Sequence, residues 1–441
     1  MKLRSVPAII FFAACIGAAR GQSAPVKFDF GPGAVAKGYT QVTEKTLFTK
    51  ETGFGFEGAD GVECREATTK DALRGDYCGG AKPFFFSAAL PEGNYLVTVT
   101  LGDAASASNT TIKAEARRLM LENVSTRPGQ FVTRSFTVNI RNSQIVGGGQ
   151  VKLKEREIGA LHWDDKLTLE FNGAQPSVAA VEIRQVTDVV TVYLAGDSTV
   201  TDQQKEPYAA WGQMLPRFFK PSVAVANHAE SGETLKAFRG EKRLDKILSQ
   251  IKSGDYLFIQ FAHNDQKPGN SHVDPFTTYK GQLKFFIAEA RKKGVTPVLV
   301  TSMNRRTFDD KGSITNSLLD YPEAMRQTAR EENVALIDLH AMSKTLYEAW
   351  GPQESVKAFV HYPANAYPEQ TQPLKDDTHF NNYGAYQLAR CIVEGIRANK
   401  LGLVKHLTGD AKPFDPLRPD SLAQWSFPAS PLVVSKKPDG N

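Results

Sequence analysis

Hydrophobic and polar positions alternate along the first part of the chain, with no segment of clear helical period. Between residues 25 and 186, short apolar runs rich in Thr, Val and aromatic residues are separated by Gly, Pro and Asn, as in FFFSAALPEGNYLVTVTLGD and KLTLEFNG. Runs of this kind are typical of antiparallel β-strands. The pattern therefore predicts an all-β sandwich over residues 25–186. Such a domain can bind carbohydrate on one face, or it can simply support its neighbour.

The period changes at Val189, where short apolar runs begin to alternate with longer segments of helical period. The apolar runs fall at 189–195, 222–227, 256–262, 296–302 and 334–338. This alternation predicts βαβ units, and hence a parallel sheet with helices on both faces. We therefore predict a three-layer α/β domain over residues 189–409. Residues 410–441 are rich in proline and are expected to wrap over the surface or to stay mobile.

The N-terminus has the features of a secretory leader. Basic residues precede an apolar run from Val6 to Ala18, and small residues surround Gly21, after which cleavage is expected. The run is too short to span a bilayer, so residues 1–21 predict a secreted or periplasmic protein with no membrane segment after leader removal. A lipoprotein anchored through Cys15 is the alternative, ranked second because no polar tether follows that cysteine.

Charge and cysteine content change this picture little. The formal net charge of +5 includes three basic residues of the leader, so the remaining chain has no strong basic field that would indicate a nucleic-acid partner. In an oxidising compartment Cys64 and Cys78 are the natural disulfide pair, because both lie in one Gly-rich, charged segment. Cys391 falls in a helical pattern and is expected to be a buried, inert thiol.

The sharpest chemical candidate is Ser198 in the segment TVYLAGDSTV. A buried strand that stops at Gly196 would deliver the following turn to the carboxyl edge of the parallel sheet, where ligands bind in open α/β folds. A serine nucleophile there needs a base, a group that orients the base, and donors for the developing oxyanion. Taken alone, the motif is equally compatible with a turn in which Asp197 or Ser198 caps the next helix.

Partners for such a serine occur in three other segments. In KDDTHFNN, Asp376 precedes His379 by three residues, and in a helical turn before the final helix these side chains would share one face, so the carboxylate could orient the imidazole. Asn264 follows the 256–262 strand, and its uncharged amide suits an oxyanion. Gly232 lets a backbone N–H approach a ligand closely. Each segment read singly is also an ordinary turn or helix cap.

In their order along the chain, GDST, SGE, HND and DDTH resemble the motif blocks of the SGNH or GDSL-type hydrolase superfamily, over about residues 189 to 400. The resemblance implies a flavodoxin-like three-layer domain with Ser198 as nucleophile and Asp376 and His379 as its catalytic partners. It also implies an oxyanion hole formed by the Ser198 N–H, the Gly232 N–H and the Asn264 amide.

A narrower resemblance adds a substrate class. GDSTVTD, the following Ala-Trp-Gly, FAHNDQ and DDTHFN are similar to the rhamnogalacturonan acetylesterases of carbohydrate esterase family 12. The two-domain layout is similar to bacterial members, with an N-terminal sandwich of the galactose-binding-like kind. This similarity implies removal of acetyl groups from acetylated galacturonate in the pectin backbone. Ala262 stands where the third block commonly has glycine, and its methyl group is expected to narrow the pocket.

Four further residues are candidates for substrate binding. Arg305 and Arg306 follow the 296–302 strand, and a guanidinium fork suits a uronate carboxylate; the alternative is that both are solvated loop charges. Trp211 could stack on a sugar ring or, as its apolar neighbours favour, fill the interface between helix and sheet. His263 reaches the same sheet edge beside Asn264.

No metal or other cofactor is expected, since the histidines lack zinc-ligand spacing such as H-E-x-x-H. The leading interpretation is a secreted, monomeric serine esterase that acts on an acetylated polysaccharide or oligosaccharide. The alternatives are an acetylesterase for another glycan such as xylan, and a catalytically silent sugar-binding protein. Because GDST is not the G-x-S-x-G elbow of other hydrolases, we also expect an open site suited to a bulky polymer.

Overall fold

The computed structural model describes residues 24–67, 71–434 and 438–439. The predicted leader, residues 1–21 with Cys15, lies outside the described residues. Across the described part of the chain, no helix combines the length and the apolar character needed to span a membrane.

The N-terminal part is built from strands and two short 3-10 turns. The strands are β1 (Val26–Phe30), β2 (Thr40–Val42), β3 (Phe54–Phe56), β4 (Glu63–Glu66), β5 (Asp76–Gly79), β6 (Phe84–Ala89), β7 (Gly93–Gly102), β8 (Ser108–Ala114), β9 (Arg118–Thr126), β10 (Phe131–Ile140), β11 (Lys166–Gln175), β12 (Ser177–Val178) and β13 (Ala180–Val186). Among the described residues they form two large sheets, in the orders β10-β7-β13-β1-β2 and β3-β6-β11-β8-β9, and a small sheet β12-β5-β4. The turns are Glu155–Glu157 and Leu161–Trp163.

Apolar side chains of the two large sheets meet in one core. Along β7, Tyr95, Val97 and Val99 are buried, and the residues between them are less so, because successive side chains of a strand point to opposite faces. Phe28 and Phe86 come from different sheets and pack edge to face, with ring centroids 4.9 Å apart. The predicted all-β sandwich is confirmed.

The cysteines lie as predicted. A disulfide joins Cys64 to Cys78 across the antiparallel pair β4–β5. Cys391 is a buried free thiol, and burial raises its pKa, which keeps it in the unreactive protonated form.

From Val190 onward, strands alternate with helices. The strands are β14 (Val190–Gly196), β15 (Val223–Asn227), β16 (Tyr256–Gln260), β17 (Thr296–Val300), β18 (Ala335–Ile337), β19 (Phe359–Tyr362) and β20 (Leu374–Phe380). The helices are α1 (Trp211–Met214), α2 (Leu235–Gly240), α3 (Arg243–Gln250), α4 (Lys280–Lys292), α5 (Tyr321–Glu332), α6 (Leu339–Glu354) and α7 (Asn382–Ala398). Strands β14 to β18 form a parallel sheet in the order β15-β14-β16-β17-β18.

The parallel sheet is covered by helices on both faces, as its sequence predicts. Val192 and Leu194 of β14 pack into a core shared with α1, α6 and α7. Tyr193 and Ala195, which point the other way, pack into a second core shared with α2, α3, α4 and α5. Both faces of each strand are therefore apolar, which explains the continuous apolar runs. The predicted three-layer domain is confirmed.

One local prediction is wrong: the segment that carries Asp376 and His379 is not a helical turn. It lies in β20, which pairs with β19 in an antiparallel ribbon that continues into α7. A register shift between Phe359 and Val360 leaves residues 377–379 outside the ladder. This bulge bends the strand, so it brings together two side chains that a regular strand would separate.

The C-terminal segment wraps over both domains. Backbone hydrogen bonds join Glu206 to Leu432 and Val434, and the Lys113 ammonium of β8 donates to the Pro428 carbonyl at 2.7 Å. Of the two alternatives for residues 410–441, the described residues therefore favour the surface wrap.

Candidate active site

The turn after β14 is shaped by the close approach of the Val200 side chain to Gly196. An added Cβ at Gly196 would lie 2.6 Å from a methyl carbon of Val200, so a larger residue would force the turn apart. The Asp197 carboxylate accepts the Thr199 N–H at 2.9 Å and the Thr199 hydroxyl at 2.7 Å. These contacts fix Ser198 between them. No helix begins directly after this turn in the described chain, so the alternative in which Ser198 caps the next helix is wrong.

Ser198 is joined to Asp376 through His379. The distance from Ser198 Oγ to His379 Nε2 is 2.8 Å, and that from His379 Nδ1 to Asp376 Oδ2 is also 2.8 Å. The second oxygen, Asp376 Oδ1, accepts the backbone N–H groups of Thr378 and His379. Burial would raise the pKa of Asp376, but the hydrogen bond and charge of His379, with these two N–H donors, hold it below its ordinary value. In this arrangement the imidazole can accept the serine proton while an ionised carboxylate orients it.

The bulge that carries Asp376 and His379 is held from outside by an arginine. The Arg306 guanidinium donates to the Asp377 carboxylate at 2.8 Å, and His361 Nε2 lies 2.9 Å from the same oxygen. The Arg306 guanidinium is thus paired with Asp377, and the contact of one of the two arginines with a uronate carboxylate stays a prediction.

Three loops after neighbouring strands of the sheet meet at this point. The Glu230 N–H of the loop after β15 donates to the Gly196 carbonyl at 3.2 Å. On the other side, the Gln260 amide at the end of β16 donates to the Thr199 hydroxyl at 2.8 Å. The carboxyl edge of a parallel sheet thus collects the motif blocks, as predicted.

Gly232 and Asn264 lie in two of these loops. Gly232 has φ +83°, a conformation in which glycine is favoured. Asn264 Nδ2 donates to the Glu233 carbonyl at 3.0 Å, which uses one of its two amide hydrogens and ties its loop to that of Gly232. Within the part of the chain that the structure describes, the N–H groups of Ser198 and Gly232 have no protein acceptor. These groups can donate to a ligand.

One of the predicted substrate contacts is wrong because the side chain belongs to the core. Trp211 is 1% exposed, and its indole N–H donates to the Gln260 side chain at 2.8 Å; it fills the interface between helix and sheet. His263 is 1% exposed, as is His379 of the site, so its contact with substrate stays a prediction. The methyl group of Ala262 packs in the apolar core with Leu235, so it does not narrow the pocket.

Arg305 lies at the site with part of its side chain exposed. It donates to the Ser317 carbonyl at 3.2 Å. Burial lowers its pKa, and the nearby charges of Asp197 and Asp376 oppose that effect. Its proposed contact with a uronate carboxylate stays a prediction.

Three residues that support the site carry no motif in the sequence. Gln203 Nε2 donates to the Ser198 carbonyl at 2.8 Å, and the Tyr208 ring packs edge-on against the His379 ring, with centroids 5.8 Å apart. Arg117 of the N-terminal domain donates to the carbonyls of Gln203 and Tyr208, at 3.1 and 2.9 Å. Local patterning could not reveal them, because each acts through a contact with a distant or irregular segment.

A cleft of about 580 Å³ borders these loops. Most of the residues that line it are of polar or charged types, among them Arg156, Gln203, Gln204, Lys205, Tyr208 and Ser231. The C-terminal residues Val434, Pro438 and Asp439 close one side of it, and Ser198 is only 2% exposed. The expectation of an open site suited to a bulky polymer stays a prediction.

One group of side chains has ligand atoms close enough to hold a metal ion. Ligand atoms of Glu157, His162 and Glu230 lie within 4.8 Å of one another. However, Glu157 accepts two hydrogen bonds from Arg243, and Glu230 is paired with Arg156 at 2.9 Å. The guanidinium groups already balance both carboxylates, so the group does not favour a divalent cation.

Comparison with known proteins agrees with this two-domain fold. A family model described as the GDSL-like Lipase/Acylhydrolase family matches residues 194–386, and one described as Beta-agarase/YXIM esterase-like, galactose-binding domain-like, matches residues 26–146. Over 220 residues the chain is 44% identical to rhamnogalacturonan acetylesterase RhgT of Bacillus subtilis, covering 49% of this chain and 94% of RhgT. The chain belongs to the GDSL-like lipase/acylhydrolase family, and it is a carboxylic ester hydrolase.

Similarity to a second protein of Bacillus subtilis extends over both domains. The chain is 27% identical to the uncharacterized esterase YxiM, covering 84% of this chain and 90% of YxiM. The crystal structure of YxiM aligns with 86% of this chain, and the alignment covers 99% of the YxiM chain. The sequence identity is 25% and the TM-score is 0.46.

Proposed function

We propose that this protein is a secreted acetylesterase that removes O-acetyl groups from the rhamnogalacturonan backbone of pectin. The observation that carries the proposal is the pair of 2.8 Å hydrogen bonds that runs from Asp376 through His379 to Ser198. The substrate class is supported by similarity to rhamnogalacturonan acetylesterases of Bacillus subtilis and Emericella nidulans, at 44% and 27% identity. The leader predicted at residues 1–21 supports secretion, since a cell-wall polysaccharide lies outside the cell.

In the first step the substrate acetyl group is transferred to the enzyme. His379 Nε2 takes the hydroxyl proton as Ser198 Oγ bonds to the acetyl carbonyl carbon, and the carbonyl oxygen becomes an oxyanion. The N–H groups of Ser198 and Gly232 and the amide of Asn264 donate to that oxygen. The C–O bond to the sugar then breaks, and the sugar oxygen leaves with the proton from His379.

In the second step water removes the acetyl group. His379 accepts a proton from the water as its oxygen bonds to the acyl carbon, and the same donors receive the second oxyanion. Collapse returns the proton to Ser198 and releases acetate. Because Asp376 stays ionised, the imidazole keeps one orientation through both steps.

The lining of the cleft supports a carbohydrate rather than a lipid as substrate. Lipid acyl chains need an extended apolar wall, whereas sugar hydroxyls need donors and acceptors. Side chains of Gln203, Gln204 and Lys205 offer such groups. Arg305 adds a cation at the site for an acidic sugar.

The test is acetate release from acetylated rhamnogalacturonan, xylan and chitin oligomers by the secreted chain and by Ser198→Ala. We expect rhamnogalacturonan to be the best substrate and Ser198→Ala to lose activity by about 10⁴-fold or more. Ser253→Ala, an exposed serine in the turn before β16, is the matched control and should keep full activity. Equal rates for the parent and Ser198→Ala would refute the acyl-enzyme mechanism. Preference for xylan would refute rhamnogalacturonan as the substrate.

A further inference from the structure

The Ser231 carbonyl, next to Gly232, receives two charged donors from the N-terminal part of the chain. The Lys154 ammonium donates to it at 2.7 Å, and the Arg156 guanidinium at 2.6 Å. Hydrogen bonds from ionised donors are shorter and stronger than neutral ones. A single backbone carbonyl that accepts two of them is held firmly.

That carbonyl and the Gly232 N–H belong to the same peptide unit. The structure has this bond in the trans form, so the C=O and N–H of the planar unit point in opposite directions. Fixing the Ser231 oxygen on one side therefore fixes the direction of the Gly232 N–H on the other. Two cations at the oxygen also polarise the peptide and make its N–H a better donor.

We propose that Lys154 and Arg156 are positioning residues that hold the Ser231–Gly232 peptide so that its N–H points at the oxyanion. The N-terminal domain would then complete the esterase site rather than only support it. This inference rests on the proposed function, since it takes the Gly232 N–H as an oxyanion donor.

The segment that carries the two cations is itself fixed to the α/β domain. Glu157, which follows Arg156, is buried and accepts hydrogen bonds from Arg243 at 3.0 and 2.5 Å and from the Trp163 indole at 2.8 Å. The Lys152 N–H donates to the Glu241 carbonyl at 2.9 Å. Lys154 and Arg156 thus project from a rigid base, which positioning of another group requires.

The charges of both cations are balanced by neighbouring carboxylates. Lys154 forms an ion pair with Glu233, and Arg156 pairs with Glu230 and with Asp439 of the C-terminal segment. A balanced cation contributes little long-range field to the cleft. Its effect should therefore come through the hydrogen bond to the Ser231 oxygen, which is a directional effect on one peptide.

The test measures kcat and KM for Lys154→Met, Arg156→Gln and the double variant on an acetylated oligosaccharide. We expect each single change to lower kcat about 10-fold and the double change about 10²-fold, approaching the ~10²–10³-fold loss for removing one oxyanion donor. KM should stay within about twofold, because the contact gains strength only in the transition state. Arg156→Lys keeps a charged donor. It should therefore retain most of the activity that Arg156→Gln loses.

Lys166→Met is the matched control. Lys166 lies in the β-sandwich, where it is paired with Glu57. Its replacement should change neither kcat nor KM. Affinity for a boronic acid, which forms a tetrahedral adduct on serine, supplies a second readout: the variants should lose boronate affinity and keep affinity for acetate. If the double variant does not fold, the single variants and Arg156→Lys decide the question by the same two readouts.

Two results would overturn the inference. One is unchanged kcat and boronate affinity in both single variants. The other is a loss of kcat that follows a loss of thermal stability and is not restored by Arg156→Lys, which would indicate a merely structural role. Failure of the proposed function is separate: Ser198→Ala would then retain activity, or xylan would be preferred, whatever the Lys154 and Arg156 variants do.

Discussion

Arg117 and Glu206 form an ion pair of 2.5 Å that is buried between the two domains. Arg117 lies just before β9 of the sandwich, and Glu206 lies in the loop that follows Ser198. The Glu206 carboxylate also accepts hydrogen bonds from Asn382 at the start of α7 and from the Ser430 N–H of the C-terminal segment. One buried pair therefore joins the N-terminal domain to the segments that follow the serine and the histidine.

Arg117→Met should destabilise the protein strongly. It leaves the Glu206 carboxylate buried without its cation, and breaking a buried pair in this way costs about 3–5 kcal/mol. The double variant Arg117→Met/Glu206→Gln should recover part of this loss, since the glutamine is uncharged and can still bond to Asn382. Urea unfolding curves of the three proteins measure both effects. A cost below about 1 kcal/mol for Arg117→Met would contradict the prediction.

Asn264→Ala should lower kcat by about 10²–10³-fold with little change in KM. In the proposed mechanism the amide donates to the oxyanion more strongly than to the ground-state carbonyl, so its loss should be felt in the transition state. Steady-state kinetics on an acetylated substrate measure the split. The control is Asn316→Ala, which removes an exposed loop amide bonded to the Leu319 carbonyl. A rise in KM with kcat unchanged would assign Asn264 to substrate binding instead.

Arg305→Gln should raise KM for acetylated galacturonate oligomers and leave KM for acetylated xylose oligomers unchanged. Only the acidic sugar offers a carboxylate to the guanidinium, and a charged hydrogen bond of this kind is worth about 1.5–3 kcal/mol. A glutamine keeps the polar contact with the Ser317 carbonyl. Equal changes in KM for the two substrates would show that Arg305 does not select acidic sugars.

The loss of kcat/KM on acidification should follow a single protonation. The pKa of Asp376 is held below its ordinary value, so its carboxylate stays ionised and takes up no proton over the acid limb of the profile. The rate should therefore fall about tenfold per pH unit on the acid limb. A profile measured from pH 8 to pH 4 tests this, and a slope of two would mean that the carboxylate titrates as well.

Asp76→Asn should stabilise the sandwich at pH 8 but not at pH 4. Burial, with the charge of Asp29, raises the Asp76 pKa to about 6 although the Gly33 N–H opposes the shift. The folded state thus binds the proton more tightly than the unfolded chain, so stability falls as pH rises from about 4 to about 6. Asparagine mimics the protonated form and should gain about 1–3 kcal/mol at pH 8.

Thermal unfolding of Asp76→Asn at the two pH values measures this difference. Asp60→Asn, at an exposed position of the same domain, is the control and should show none. A gain of equal size at pH 4 and pH 8 would refute the electrostatic explanation.

Much of the fold could be predicted because its signals are local. The change of period at Val189 marks the boundary between the sandwich and the parallel sheet, since a strand and a helix impose different spacings on apolar residues. The bulge at residues 377–379 could not be predicted in this way. It depends on the register between β19 and β20, and register is a property of two segments rather than of one.

The sequence by itself determined the elements, the disulfide pair and the four motif blocks, with Ser198, Asp376 and His379 among them. Only the tertiary structure decided which polar side chains reach that site. Trp211 packs in the core, and Arg306 is paired with Asp377. The N-terminal domain contributes three cations to the surroundings of the site, namely Arg117, Lys154 and Arg156. Periodicity records whether a residue faces its own core, but it carries no information about the distant surface that a charged side chain meets once the two domains pack.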